Sequence, residues 1–330
     1  MAETRKLLGY PEESVGRLMT PDYVSIRSSW TVDKALEEIR THGTDSETVN
    51  VVYVTDRSGK LVDAVRLRHL ILANPSDKVK DVMRYNLVSL SAFDDREEAV
   101  KLMADYDLFV LPVVDSDGIM LGIVTFDDVL DVAEEEATED IHQSSGMMAL
   151  RKSYRNASVW RLFSGRIGWL AVLVVAHLFS SGAVAANEKT LQASMALAFF
   201  IPLLIGTGGN SGSQAATMMV RALVTDDIQI SFWWRALLKE LLVGLALGLG
   251  LAALAAALGY YRGGQDIAIV VGLSMFAIVM VANLIGVGLP FLLTKLGVDP
   301  TMASNPLIAT ICDVIGIMIY FSIAMHYLSL

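Results

Sequence analysis

Residues 166–330 hold successive runs of about 20 apolar residues, each long enough to cross the hydrocarbon core of a bilayer. In lipid every backbone N–H and C=O has to be paired within the chain, so runs of this length are read as helices. Five spans are expected, near Ile167–Ala186, Leu191–Leu223, Trp233–Tyr260, Ile267–Lys295 and Pro300–Leu328. Two of them interrupt the apolar pattern. In Pro202–Gln214, Pro202 removes a backbone donor, while Gly206, Gly208, Gly209 and Gly212 remove side chains. Asn210, Ser211, Ser213 and Gln214 add neutral polar groups there. Irregular backbone at that depth is tolerated where it lines a water-filled cavity. The same small residues equally suit a face on which two helices pack closely.

The last span carries Asp313 well inside its apolar run. A charge at that depth is costly and marks function. With no Lys or Arg at comparable depth, a cation is the natural neutraliser. Pro300 and Pro306 are expected to disturb the preceding turn and free backbone carbonyls, with Ala309 one turn before Asp313. One acid with carbonyls and amides suits an ion that sheds water reluctantly, as Mg²⁺ does. His177, in the first span, reads as a hydrogen-bonded packing residue. Cys312 is the sole cysteine, which leaves no intrachain disulfide and no cysteine zinc cluster.

Basic residues favour the cytoplasmic side of a membrane. Met1–Tyr10 lacks the apolar core of a secretory signal, so the N-terminal half is expected in the cytosol. Arg151, Lys152, Arg155, Arg161, Arg166, Arg221, Arg235, Lys239 and Lys295 then lie inside, with Lys189 and Arg262 outside, and the C-terminus ends outside.

The N-terminal half is of another kind. After a tail at 1–14, residues 15–133 repeat one pattern twice. The first unit runs through Arg17-Leu-Met-Thr-Pro, Val24-Ser-Ile, a helical stretch at Thr31–Ile39, Val51-Val-Tyr-Val-Thr-Asp, Gly59–Val65 and Leu67-Arg-His-Leu-Ile. The second runs through Asp81-Val-Met, Leu87-Val-Ser-Leu, Glu97–Met103, Leu111-Pro-Val-Val-Asp, Gly118–Val124 and Phe126-Asp-Asp-Val-Leu. Each reads as strand, helix, strand, turn, strand, helix, by alternation in the strands and apolar faces on the helices. The order and motifs resemble a tandem CBS-domain pair. That resemblance implies one α/β module that often holds an adenine nucleotide, through a Ser/Thr-x-x-Asp step. The second unit has the step as Thr125 and Asp128; the first departs from it, with Arg66 and His69.

Between Asn86 and Ser145 sixteen acids face only Arg96 and Lys101. Such a concentration repels itself, makes nucleic acid an unsuitable partner, and suits hard divalent cations. The plainer alternative is a solvated acidic face. Residues 134–165 form a connector, acidic at its start and basic at its end, as a helix dipole favours. Gly146 is expected to split it into two helical pieces.

Taken together, the chain resembles the MgtE family of magnesium channels. The resemblance rests on Pro202-x3-Gly-x2-Gly-Asn-Ser-Gly-x-Gln214 through Arg221, on Glu136-Ala-Thr-Glu-Asp140-Ile-His, and on Asp299-Pro with Thr310-Ile-Cys-Asp-Val314. It implies a multidomain protein, an α/β tandem CBS module at 15–133 followed by an all-α five-helix transmembrane domain at 166–330. It further implies a homodimer in the cytoplasmic membrane, with a pore lined by the second and fifth spans, including Gly206, Asn210 and Gln214. Asp313, with the Ala309 carbonyl, would hold a hydrated Mg²⁺. Asp107, Asp128, Glu136, Glu139 and Asp140 would belong to a Mg²⁺-sensing surface, and the connector would act as a plug helix. Members typically carry a further helical N-terminal domain, whereas a short tail stands here. A broader carrier of Co²⁺, Mn²⁺ or Zn²⁺ is the alternative, disfavoured by a lining without cysteine or paired histidines. An enzyme is not expected: there is no His-Glu-x-x-His, and His42, His69, His142, His177 and His326 are scattered.

Overall fold

A computed structural model of the chain describes residues 9–84, 87–148, 154–225 and 227–329. Arg151 and Lys152 of the basic set, and residues 1–8 of the tail, lie outside those ranges. The chain divides into two compact units, Met1–Ala137 and Thr138–Leu330.

The first unit is an α/β tandem module. Short helix α1 (Val15–Leu18) precedes β1 (Ser25–Ile26), α2 (Val32–His42), β2 (Val51–Thr55), β3 (Leu61–Arg66) and α3 (Leu67–Leu72). The plan then recurs as α4 (Val79–Val82), β4 (Leu90–Ser91), α5 (Arg96–Tyr106), β5 (Val110–Val114), β6 (Met120–Thr125) and α6 (Phe126–Ser144). Each sheet has a parallel pair followed by an antiparallel hairpin. Even the irregularity recurs, since the register slips at Val54/Thr55 and again at Val113/Val114. In the two hairpins Asp56 accepts from the amides of Ser58 and Lys60, and Asp115 from those of Asp117 and Ile119. These are the same aspartate turn built twice.

The repeats exchange their opening segments. Val15 and Met19 sit in a core with Leu90, Ala99, Leu111 and Val124 of the second repeat. The Val15 and Gly16 amides donate to the Asp94 and Ala92 carbonyls. Conversely, Val79 and Met83 sit with Val24, Ile26, Val52 and Leu70 of the first repeat. The sequence pattern assigns each opening to its own repeat. The exchange is settled by long-range burial, which local periodicity does not record.

The second unit begins inside α6 and is mostly helical. Its long elements are α7 (Val159–Ala186), α9 (Ile201–Val224), α10 (Trp233–Lys295) and α11 (Asn305–Leu328), with short α8 (Glu188–Ala193) between α7 and α9. Helix α7 starts at Val159 and so takes in the last part of the stretch read as connector. Over its 63 residues α10 would extend about 95 Å, three times the bilayer core. It turns at Gly264, whose φ of 80° and ψ of −168° are not helical. Beyond the turn Gly259 packs on Ala268, Gly248 on Phe276 and Gly244 on Met280. The paired numbers rise on one arm as they fall on the other, so the arms run antiparallel. The four long apolar stretches therefore accommodate the five spans read from the sequence.

Two backbone expectations are corrected. Pro202–Gln214 is not irregular: it lies in unbroken α9, where Pro202 occupies the first turn. A proline there gives up an N–H that has no intrahelical partner and supplies a helical φ. The irregular backbone lies just before it, in the 3₁₀ turns of Met195–Phe200. Likewise Pro306 opens α11, and Pro300 opens a 3₁₀ turn at Pro300–Met302. Neither frees a carbonyl inside the helix that carries Ala309 and Asp313.

Candidate functional site

Small residues bring α9, α10 and α11 into contact. A Cβ on Gly208 would strike Ile278, and one on Gly286 would strike the Gly212 carbonyl. A Cβ on Gly209 would lie 3.4 Å from the Ala309 Cβ and 3.7 Å from Asp313 Oδ1. The missing side chain of Gly209 thus lets α9 lie close to α11 beside the carboxylate. Part of the glycine pattern therefore does serve as a packing face.

The other face of α9 is polar and open. Gly206, Asn210, Gln214 and Thr217 recur at helical spacing and are exposed, with nothing within 4 Å of a Cβ on Gly206. Where this face meets the start of α11, the Ser213 hydroxyl donates to the Asn305 carbonyl (3.2 Å) and Thr217 to Asn305 Oδ1 (3.1 Å). On the buried side Ser211 donates to Asn283 Oδ1 at 2.5 Å.

Asp313 is 21% exposed, and the structure gives it a neighbour that the sequence reading withheld. The Nε2 atom of His177 lies 3.7 Å from Asp313 Oδ2. His177 does make the packing bond expected of it, Nδ1 to the Leu173 carbonyl at 2.7 Å. Its other nitrogen faces the acid. The contact went unread because it joins residues 136 positions apart, on α7 and α11, and no periodicity links them.

The acids of the proposed sensing surface are placed separately. Asp107 caps α5 in the left-handed conformation, with φ of 52°. It borders a cavity of about 300 Å³ lined by Val100, Met103, Phe109, Phe126 and Leu130. Thr125 donates to Asp128 at 3.3 Å across the first turn of α6. The two therefore already share a side-chain hydrogen bond at the start of the helix. Burial pushes the Asp128 carboxyl above the ordinary carboxylate range; Asp127 and Asp131 add to the rise, and the Thr125 bond opposes it.

Arg96 does more than dilute the acids. Its guanidinium binds Glu13 (2.9 Å), Glu135 (2.8 Å) and Glu136 (2.8 Å) together. Although burial opposes charging it, these three carboxylates hold the Arg96 pKa above its usual value. Glu136 is thus already engaged by a cation. Further along α6, Glu139 accepts from Gln143 Nε2 at 2.8 Å, and Asp140 is partly buried. Among the described residues no group of three or more His, Cys, Asp or Glu side chains is gathered to hold a metal.

Within the second unit the end of α6 and the residues after it are held at two points. The Thr301 hydroxyl lies 2.6 Å from Gln143 Oε1 and 2.7 Å from Asp299 Oδ1, and can donate to either. Past the helix, Gly146 takes a φ of 70° and its backbone lies against the Trp169 ring on α7. The Met148 amide donates to the Gly165 carbonyl at 3.2 Å. Gln143 and Thr301 carry no motif of their own and were not singled out from the sequence.

Residues 201–323 match the MgtE family model, described as a divalent cation transporter, and residues 15–75 and 79–135 match the CBS domain. The magnesium transporter MgtE of Thermus thermophilus is 46% identical over 323 residues, covering 98% of this chain and 72% of its own length. The magnesium transporter MgtE of Enterococcus faecalis is 34% identical over 328 residues, covering 99% and 72%. A crystal structure of the cytosolic domain of the Mg²⁺ channel MgtE in complex with ATP is 46% identical over 40% of this chain and 53% of its own, with a TM-score of 0.39.

Proposed function

The chain belongs to the MgtE family, and on that premise we propose that it carries Mg²⁺ across the cytoplasmic membrane, with Asp313 as the carboxylate that holds the ion. The observation carrying this reading is Asp313 itself, partly exposed within a long apolar helix and beside the close approach of Gly209. No Lys or Arg pairs with it among the described contacts. The Ala309 carbonyl one turn earlier, and the open polar face at Gly206, Asn210 and Gln214, supply neutral oxygens and amides for the ion's remaining water.

We place the first-span end of the connector inside, the module at 15–133 in the cytosol and the C-terminus outside, on the basic-residue count. The molecule works as a homodimer. That arrangement suits the acidic surface, since acids that, among the described residues, are not gathered into a metal site within one chain can complete cation sites against a second copy. Mg²⁺ bound by Asp107, Asp128, Glu136, Glu139 and Asp140 then favours the closed state, with 134–165 as the plug. An ion shifts such an equilibrium only by its difference in affinity for the two states. An adenine nucleotide at Thr125 and Asp128 would take over the hydrogen bond they now share.

Mg²⁺ uptake into proteoliposomes tests the central claim. Asp313→Ala and Asp313→Asn are each expected to lower uptake by about tenfold or more, the effect of removing about 1.4 kcal/mol of ion binding. Uptake equal to wild type in both variants, with the protein monodisperse, would place the ion site elsewhere.

A further inference from the structure

We propose that Asn283, on the second arm of α10, is a positioning residue for ion passage: through Ser211 it sets the rotation of α9, and so how tightly the ion is held at Asp313. The inference rests on the reading of Asp313 as the ion site. Its own support is a buried polar pair that neither the acid nor the open face uses. Ser211 is 7% and Asn283 1% exposed, and the hydroxyl donates to Asn283 Oδ1 at 2.5 Å. Asn283 Nδ2 has no hydrogen-bond partner among the described residues, and a Cβ on Gly244 of the other arm would lie 3.4 Å from it. Turning the amide over leaves the same balance, because a hydroxyl both donates and accepts. In either orientation Ser211 holds one amide atom and the other is bare. A bare amide atom in an apolar span is costly, and leucine would fill the space without that cost. Polar groups kept at such depth against their cost mark function.

The contact between α9 and α10 supplies the reason. Gly208 lies against Ile278, Gly212 against the Ala282 carbonyl, and Gly286 against the Gly212 carbonyl. Glycine faces let two backbones approach, but they bring few side chains to interlock and so resist rotation weakly. A hydrogen bond is directional and does resist it. Successive residues turn about 100° round a helix, so Asn210 stands about 100° and Gly209 about 200° from Ser211. The bond to Asn283 thus holds one side of α9 while the opposite side carries Gly209, whose Cβ position is 3.7 Å from Asp313 Oδ1. At about 5 Å from the axis, a rotation of about 20° moves an atom by about 2 Å. That is about the length of an Mg–O bond. A slipped α9 would carry the Gly209 backbone and the Asn210 amide out of register with the water shell of an ion at Asp313.

The test uses the full chain in proteoliposomes and reads half-saturating Mg²⁺ and maximal uptake separately, beside the unfolding temperature in detergent. Ser211→Ala, Asn283→Leu and the double variant are each expected to raise half-saturating Mg²⁺ about fivefold, with maximal uptake changing less. In the double variant the unfolding temperature should return to the wild-type value or above, since neither polar group then remains to be buried. The raised half-saturation should persist there, a separation that a merely structural bond does not produce. Ser274→Ala removes another buried, unpartnered hydroxyl from α10 and should leave half-saturation unchanged. A half-saturating value within about twofold of wild type in the double variant overturns the inference, as does an equal rise in Ser274→Ala. Should the variants carrying Asn283→Leu not fold, Ser211→Ala decides alone by the same limit. Normal transport in Asp313→Asn removes the premise and the inference together. Lost transport there with a flat Ser211 and Asn283 series removes the inference alone.

Discussion

At the scale of single residues, Asp128 joins an electrostatic cost to a structural use. Its carboxyl accepts from the Thr125 hydroxyl at the start of α6 while burial and the neighbouring Asp127 disfavour its charge. Its folded pKa lies above the unfolded one, so the folded state holds the proton more tightly. That stabilisation is full below the ordinary carboxylate pKa and is lost as pH rises through the raised folded value. Asp128→Asn keeps an oxygen for Thr125 and removes the charge. Thermal unfolding in Mg²⁺-free buffer should therefore show a gain of a few tenths of a kcal/mol near neutrality, solvent screening keeping it small. The gain should vanish on acidification; a loss of stability at neutral pH would mean that the charge strengthens the bond to Thr125. The acidic composition was plain in the sequence, and so was Asp313. What the sequence withheld was partnership. Arg96 gathers three carboxylates and His177 meets Asp313 only because distant segments pack.

At the scale of elements, backbone contact between helices is the feature most exposed to mutation. Gly286 on α10 lies against the Gly212 carbonyl of α9, beside Ala215. In a closely packed interior an added methyl there has to push one helix off the other, at about 1–3 kcal/mol. Gly286→Ala is expected to lower the unfolding temperature in detergent, while Gly288→Ala, with nothing within 4 Å of its Cβ, should leave it unchanged. Equal effects at the two sites would deny the contact. The span count was legible because apolar length is written locally. The state of Pro202–Gln214 was not, because glycine and proline break a helix in one setting and in another start it or let it pack. The outcome depends on Ile278, Ala282 and Ile308, which lie far along the chain.

At the scale of the whole molecule, the acidic surface matters to transport only if its state reaches the ion site. Within the membrane unit the chain of contacts runs from Glu139 through Gln143 to Thr301 and Asp299, just ahead of α11. Thr301→Val keeps the shape and removes the hydroxyl. One hydrogen bond is worth about 1 kcal/mol, so the internal Mg²⁺ needed to halve uptake should rise about fivefold. Uptake at low Mg²⁺ should persist, and unaltered inhibition would place the coupling elsewhere. The exchanged opening segments of the first unit carry a different consequence. A chain holding one repeat alone would leave a cleft where Val15 and Met19, or Val79 and Met83, now insert. Two such half-length chains could close each other's cores by trading arms, as domain-swapped dimers do. The tandem module has the layout of such a pair fused end to end, and an ancestor of half its length would have been obliged to dimerise before it was joined.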